Sequence, residues 1–134
     1  MKLYLLIPVT ILGLLFISSC KKPKAADSNF NKSSIIVVLG PKYGFVGHPV
    51  HYHVTLQGKN GCAVSGRLQD SVSGNSRTIK GSVIYNGDAC AQKLVEIQTA
   101  YSFTPTVVGT YELKFLKLDG TTHTILVETK QPGG

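Results

Sequence analysis

A chain of 134 residues has room for one domain, so its length excludes a multidomain enzyme. With 43% hydrophobic and 16% charged residues it also does not have the composition of a disordered protein. The net charge is +7, but the basic residues form no nucleic-acid motif and no stripe with interleaved aromatics, so we expect no nucleic-acid partner.

The N-terminus has the three parts of an export signal. Lys2 provides the positive charge, an apolar stretch runs from Leu3 to Ile17, and Ser18-Ser19 are small residues at a cleavage zone before Cys20. A membrane-spanning helix needs about 20 apolar residues, and this stretch is shorter. The pattern therefore favours a cleaved signal over a transmembrane segment.

Ile17-Ser18-Ser19-Cys20 resembles the lipobox of bacterial lipoproteins. The resemblance implies that residues 1–19 are a signal peptide, that cleavage falls between Ser19 and Cys20, and that the Cys20 thiol carries diacylglycerol. The membrane would then be a partner through the N-terminal lipid, because two or three acyl chains give stable anchoring. The alternative is an ordinary secretory signal cleaved near Ser18 or Ser19, which leaves Cys20 as a free or paired thiol.

Residues 20–32 are polar and predict a flexible tether behind the lipid. Lys21, Lys22 and Lys24 follow the cysteine, where they would face anionic headgroups. The residue directly after the cysteine is Lys21, so the usual inner-membrane retention signal, an Asp at that position, is absent. Surface export uses a cluster of acidic residues just after the cysteine, and only Asp27 is present in that region. We therefore expect a lipoprotein of the outer membrane that faces the periplasm.

Seven short segments beyond the tether have the alternation or the β-branched content of strands, and turn residues separate them. They are Ser34–Leu39, Val50–Leu56, Ala63–Gln69, Thr78–Tyr85, Val95–Phe103, Gly109–Phe115 and Thr122–Thr129, with a two-residue hairpin expected at Asp119-Gly120. No helical period occurs among them. The pattern predicts an all-β domain over residues 33–130, a β-sandwich of about seven antiparallel strands, followed by a flexible tail at 131–134.

Gly109-Thr110-Tyr111 opens the penultimate strand just after a bend and resembles the tyrosine corner of immunoglobulin-like domains. The resemblance implies an immunoglobulin-like sandwich in which the Tyr111 hydroxyl bonds to backbone upstream. The chain departs from that family in having no Trp. Its cysteines also follow turns, at Asn60-Gly61 and Asn86-Gly87, instead of lying within strands.

Cysteine parity supports the resemblance to a lipobox. The chain has three cysteines, so lipid on Cys20 leaves Cys62 and Cys90 as an even pair in an oxidising compartment. We therefore expect a disulfide between Cys62 and Cys90.

His51 and His53 alternate along one predicted strand, so they would share a face about 7 Å apart, close enough to hold a transition metal. A third ligand would have to be His48, beyond Pro49, or the distant His123. Solvated histidines on an outer sheet face are the favoured interpretation. No metal or other cofactor is therefore expected.

Catalysis has no support in the sequence, because no two carboxylates are close enough to suggest an acid and base pair and Gly-x-Ser-x-Gly is absent. We therefore expect no enzyme. Asp70-Ser71-Val72 resembles a short O-glycosylation signal of exported bacterial proteins and lies in a predicted loop, which makes Ser71 a candidate glycosylation site.

The function expected from these features is a binding or structural role toward a protein or glycan of the cell envelope. The candidate contact segments are two predicted loops, Pro41 to His48, with exposed Tyr43 and Phe45, and Ser71 to Arg77. Two alternatives are an envelope protease inhibitor that acts through the Pro41 to His48 loop and a metal-binding protein.

Overall fold

The computed structural model describes residues 32–133. The predicted signal segment, Ser19, Cys20 and the tether up to residue 31 lie outside that range. Within it the chain forms nine strands: β1 (Lys32–Ser33), β2 (Ile35–Leu39), β3 (Tyr43–Phe45), β4 (Val50–Gly58), β5 (Ala63–Ser73), β6 (Ser76–Tyr85), β7 (Val95–Phe103), β8 (Gly109–Leu116) and β9 (Thr122–Lys130). The described residues contain no helix, and hence none long and apolar enough to span a membrane.

The strands form two sheets, which confirms the all-β sandwich prediction. The larger sheet has the order β1-β6-β8-β9-β3, with β5 paired to β6, and the smaller one has the order β2-β4-β7. The prediction of about seven antiparallel strands is wrong in two respects. The described chain has nine strands, and two of the pairings, β6 with β8 and β3 with β9, are parallel.

The two extra strands are short, and their partners are distant in sequence. β1 pairs through two residues with β6, and β3 pairs through three residues with β9. A strand of two or three residues is too short to show the alternation on which strand prediction depends. Only the completed sheet supplies the backbone partners that define these strands.

The segment from Ser71 to Arg77 is not a loop. β5 continues to Ser73 and β6 begins at Ser76, so only Gly74-Asn75 form the turn. Gly74 has a φ of +58°, a conformation that glycine adopts without strain. The sequence pattern missed the last four residues of β5, Asp70 to Ser73, because all four are exposed and three of them are polar, which hides the strand period.

The core lies between the sheets and is built from the faces that the alternation predicts. Its buried side chains are Ile35, Val38, Val50, Tyr52, Val54, Leu56, Ile79, Val83, Tyr101, Phe103, Tyr111, Leu113, Phe115, Ile125 and Val127. Thr55 is one exception to the predicted pattern. It lies on the outer face of β4 but is buried, between Val37 and Gln98 of the two neighbouring strands, and its hydroxyl donates to Gln98 Oε1 at 3.1 Å.

Tyr52 holds the point where the chain leaves the small sheet for the large one. Its buried ring lies against Gly40, where any Cβ would overlap it, and its hydroxyl donates to the carbonyl of Pro41 at 2.7 Å. Glycine is therefore required at position 40 for the close approach of the backbone. The bend at Gly40-Pro41 directs the next residues onto β9.

Arg77 joins the sheets at the opposite edge. Its Nη1 lies 2.9 Å from Asp70 Oδ2, and its guanidinium stands 5.1 Å from the centre of the Phe103 ring. The hydroxyl of Tyr101 donates to the same Asp70 oxygen at 3.1 Å. The cluster thus links β5 and β6 to β7 by charge-assisted and cation–π contacts where the core meets solvent.

The turn between β8 and β9 is longer than expected. β8 ends at Leu116 and β9 begins at Thr122, so the predicted two-residue hairpin at Asp119-Gly120 is wrong. Asp119 Oδ1 accepts from the backbone N–H and the hydroxyl of Thr121 at 2.9 and 2.6 Å. Gly120 has a φ of +84°. The aspartate side chain therefore organises a wider turn than two residues would make.

We expect the double variant Tyr52→Phe/Tyr101→Phe to have a lower free energy of unfolding than wild type. The difference between the two proteins should be largest below pH 10. Burial raises the pKa of both tyrosines from 10.0 to about 12, so the unfolded chain ionises first. Their contribution to stability is therefore full below pH 10 and is lost as the pH rises toward 12. Urea unfolding at several pH values should show the gap between wild type and variant narrowing over that range.

Tyr43→Phe, which removes a hydroxyl from an exposed ring, is the matched control for that experiment. A gap that stays constant from pH 9 to pH 11 would contradict the assignment of raised pKa values to Tyr52 and Tyr101.

Candidate functional site

Cys62 and Cys90 form the predicted disulfide, with their Cα atoms 5.2 Å apart. It connects the start of β5 with the loop between β6 and β7. The backbone around it is also bonded, since Gly61 N–H donates to the Ala91 carbonyl and Asn86 N–H to the Cys62 carbonyl, both at 2.8 Å. A structural disulfide indicates an oxidising, extracytoplasmic compartment.

The Tyr111 side chain bonds to the backbone at the bend before β8. Its buried hydroxyl accepts from the backbone N–H groups of Thr106 and Val107 at 3.0 and 3.2 Å. Burial by itself would raise the pKa of Tyr111, but hydrogen bonding by the Thr106 side chain, together with these backbone donors, outweighs it and holds the pKa below its usual 10.0. The buried Thr129 hydroxyl donates to the carbonyls of Val107 and Gly109 at 2.8 and 2.9 Å. The Tyr111 and Thr129 hydroxyls thus both hydrogen-bond to the backbone of the bend between β7 and β8.

The segment from Pro41 to His48 contains a strand, so its prediction as a loop is wrong in part. Strand β3 consists of Tyr43–Phe45. Backbone hydrogen bonds to β9 continue on either side of it, because the Lys42 carbonyl accepts from Glu128 N–H and Val46 N–H donates to the Lys130 carbonyl, both at 2.9 Å. Gly44 faces inward, where a Cβ would crowd the Val50 side chain at 2.6 Å. The strand is therefore held by its backbone, while its two aromatic side chains do not contribute to the core.

Tyr43 and Phe45 are the exposed aromatics that the sequence predicts, with 73% and 51% of their surface accessible. Together with Pro41, Gly44, His48, Pro49, Val50 and His51 they line an open depression of about 310 Å³. We call it the β3 pocket. Its lining is mostly apolar and contains no carboxylate. Rigid aromatic rings beside imidazoles suit recognition of a partner surface, because their flat faces bury apolar area and the ring nitrogens hydrogen-bond.

The histidines of the metal-site hypothesis are distributed over both sheets and a loop. His51 and His53 do lie exposed on one face of β4, opposite Ser102 and Ala100 of β7. His51 lines the β3 pocket together with His48, whereas His53 does not. His123 belongs to β9 in the other sheet. Among residues 32–133 no group of three or more His, Cys, Asp or Glu could hold a metal.

Ser71 is exposed, but in strand β5 opposite Thr78, so the prediction that the Asp70-Ser71-Val72 motif lies in a loop is wrong. The preceding Asp70 points to the other side, toward Arg77 and Tyr101. Glycosylation of Ser71 stays a prediction from the sequence.

We expect Cys62→Ala/Cys90→Ala to lower the free energy of unfolding by about 3–4 kcal/mol, because the bridge closes a 28-residue separation and restricts the unfolded chain. Urea unfolding without reductant measures the change. Wild type treated with dithiothreitol is the matched control and should reach the same value. A double variant as stable as the oxidised wild type would show that the bridge contributes nothing.

We expect His51→Ala/His53→Ala to leave the affinity for Zn(II) and Cu(II) unchanged within about twofold, since two exposed imidazoles alone make a weak site. Isothermal titration of wild type and variant measures it. His123→Ala, on the other sheet, is the matched control. A tenfold loss confined to the double variant would instead establish a metal site on β4.

Comparisons of the chain with protein-family models, with curated proteins and with solved structures return no match. Three features of the described residues bear on function. They are the disulfide, the bonded bend at Tyr111 and the β3 pocket with its exposed aromatics.

Proposed function

We propose that the protein is a lipid-anchored module of the cell envelope that binds a protein or glycan partner and catalyses no reaction. The observation that carries the proposal is the exposure of Tyr43 and Phe45 on a strand whose backbone is bonded at both ends. Large apolar side chains on a rigid, exposed element commonly mark interaction surfaces.

The proposed anchor is diacylglycerol on Cys20, with the domain facing the periplasm from the outer membrane. The lipobox-like Ile17-Ser18-Ser19-Cys20 and the residue after it, Lys21, support this address. The disulfide between Cys62 and Cys90 supports export, and it uses two of the three cysteines of the sequence.

We further propose an immunoglobulin-like architecture. Three features support it: two packed sheets, a small sheet that pairs β2, β4 and β7, and the Tyr111 hydroxyl bonded to backbone at the bend before β8. The parallel pairing of β6 with β8 and the position of the disulfide at strand ends distinguish this chain from the usual arrangement.

Docking onto the β3 pocket is favoured over insertion of this segment into a protease cleft. An inhibitory loop has to project from its domain into the protease cleft, whereas Tyr43–Phe45 is paired along its whole length with β9. The free side of β3 and the aromatic side chains instead offer an edge and a surface for a partner. An inhibition assay against periplasmic proteases tests the alternative.

We expect fatty-acid label to be incorporated into wild type and to be absent from Cys20→Ser expressed in a bacterium with lipoprotein-processing enzymes. Thioether attachment at Cys20 is the physical requirement for the label. Cys62→Ser/Cys90→Ser, which removes the other two thiols, is the matched control and should label like wild type. Label retained in Cys20→Ser would refute the anchor.

We expect a photoreactive phenylalanine analogue at position 43 to form one reproducible crosslinked species in intact envelopes. Adding Phe45→Ala to the same chain should reduce the yield of that species at least about threefold, because hot-spot aromatic residues carry much of the binding energy of an interface. Mass spectrometry of the gel-separated species identifies the partner as protein or glycan. Val72, an exposed residue of β5, is the control position. Equal crosslinking from positions 43 and 72 would argue against a site at β3.

A further inference from the structure

A second cavity, of about 240 Å³, lies on the other side of the domain where the described chain begins. Lys32, Lys80 and Lys117 line it together with Ser33, Gly81, Leu116, Leu118 and Gly120. No acidic side chain is part of the lining. Three cations from three different segments therefore surround one small space.

The strand pairing explains why the lysines converge. Ser33 of β1 pairs with Gly81 of β6, and both are buried, so the preceding residues Lys32 and Lys80 lie exposed beside the cavity. Lys117 begins the turn after β8, and that turn is tied to the start of the domain because Leu118 N–H donates to Ser34 Oγ at 3.5 Å. The convergence is thus a property of the sheet, and residues distant in sequence produce it.

The lysine charges are not neutralised by ion pairs within the described residues. The two ion pairs found there are Arg77 with Asp70 and Lys114 with Glu112, the latter at 3.6 Å. On the turn after β8, Asp119 Oδ1 accepts from the Thr121 hydroxyl and amide, and these bonds together with the nearby charge of Lys117 lower the pKa of Asp119. Asp119 offsets part of the Lys117 charge, and the three lysines together still give the cavity a net positive potential that attracts a small anion.

We propose that this cavity binds a phosphate group. Lysine ammonium groups bind phosphate as point charges, and 240 Å³ is smaller than the about 300–1,000 Å³ of sites for larger organic ligands. Leu116 and Leu118 add an apolar rim that suits a phosphate carried on an organic group.

A lipid headgroup and a soluble phosphate are the two sources of such a group, and the headgroup assignment rests on the proposed lipid anchor. Lys32 follows Cys20 by twelve residues, which span at most about 40 Å when fully extended. The lysine-lined cavity is thus within reach of the membrane surface to which Cys20 would attach the chain.

The first arm of the test uses inorganic phosphate and the full chain in detergent, followed by amide chemical shifts of Gly81 and Gly120. We expect saturable shifts, and an affinity at least about tenfold lower in Lys32→Ala/Lys80→Ala/Lys117→Ala. The charge-matched control is Lys42→Ala/Lys59→Ala/Lys93→Ala, which removes three exposed lysines elsewhere. The amide spectrum of each variant also reports whether it is folded.

The second arm assigns the source by the acetylation rate of Lys80 relative to that of Lys42, an exposed lysine outside the cavity, in vesicles of phosphatidylglycerol compared with vesicles of a phosphate-free glycolipid. Slower acetylation in the anionic vesicles assigns the site to a lipid phosphate. An unchanged rate, with saturable binding of inorganic phosphate, assigns it to a soluble one. Absence of saturable shifts, or equal loss in the control variant, overturns the site. The result of the first arm does not depend on Cys20. Failure of the lipid anchor would appear as loss of the fatty-acid label, whereas failure of the phosphate site would appear as loss of the saturable shifts.

Discussion

The contact between Tyr52 and the Gly40-Pro41 bend is the constraint on which the rest of the structure depends. The chain must leave the small sheet after β2 and join the large sheet as β3, and the Tyr52 ring and hydroxyl hold that crossing point. Because the ring also packs near Tyr101 and Phe115, with centroids 6.4 and 6.2 Å away, the crossing is tied to the aromatic part of the core. The core therefore positions the exposed aromatics of β3.

A domain of this size has a modest apolar core, and covalent and polar contacts at its edges supplement it. The disulfide restrains the loop between β6 and β7, and the Arg77 cluster joins the sheets at the edge formed by β5 and β7. The Tyr111 and Thr129 hydroxyls satisfy backbone groups at the bend before β8. Buried polar side chains thus hydrogen-bond to backbone groups at the points where the chain bends between strands.

The β3 pocket and the cavity beside Lys32 differ in chemistry. The β3 pocket is apolar and aromatic, whereas the cavity beside Lys32 is cationic. One is formed by an edge strand and the other by the meeting of β1, β6 and the β8–β9 turn. This separation would allow one surface to face a membrane or a phosphorylated ligand while the other contacts a partner.

The sequence by itself determined the long strands and their buried faces, as Val95–Phe103 and Tyr111, Leu113 and Phe115 illustrate, because a two-residue period is a local property of the chain. It also indicated the cysteine pair and the exposure of Tyr43 and Phe45. Only the tertiary structure decided the short strands β1 and β3, the parallel pairings, and the meeting of His48 with His51 and of Lys32 with Lys80 and Lys117. These depend on hydrogen bonds and proximity between segments distant in sequence, which no local pattern of residues encodes.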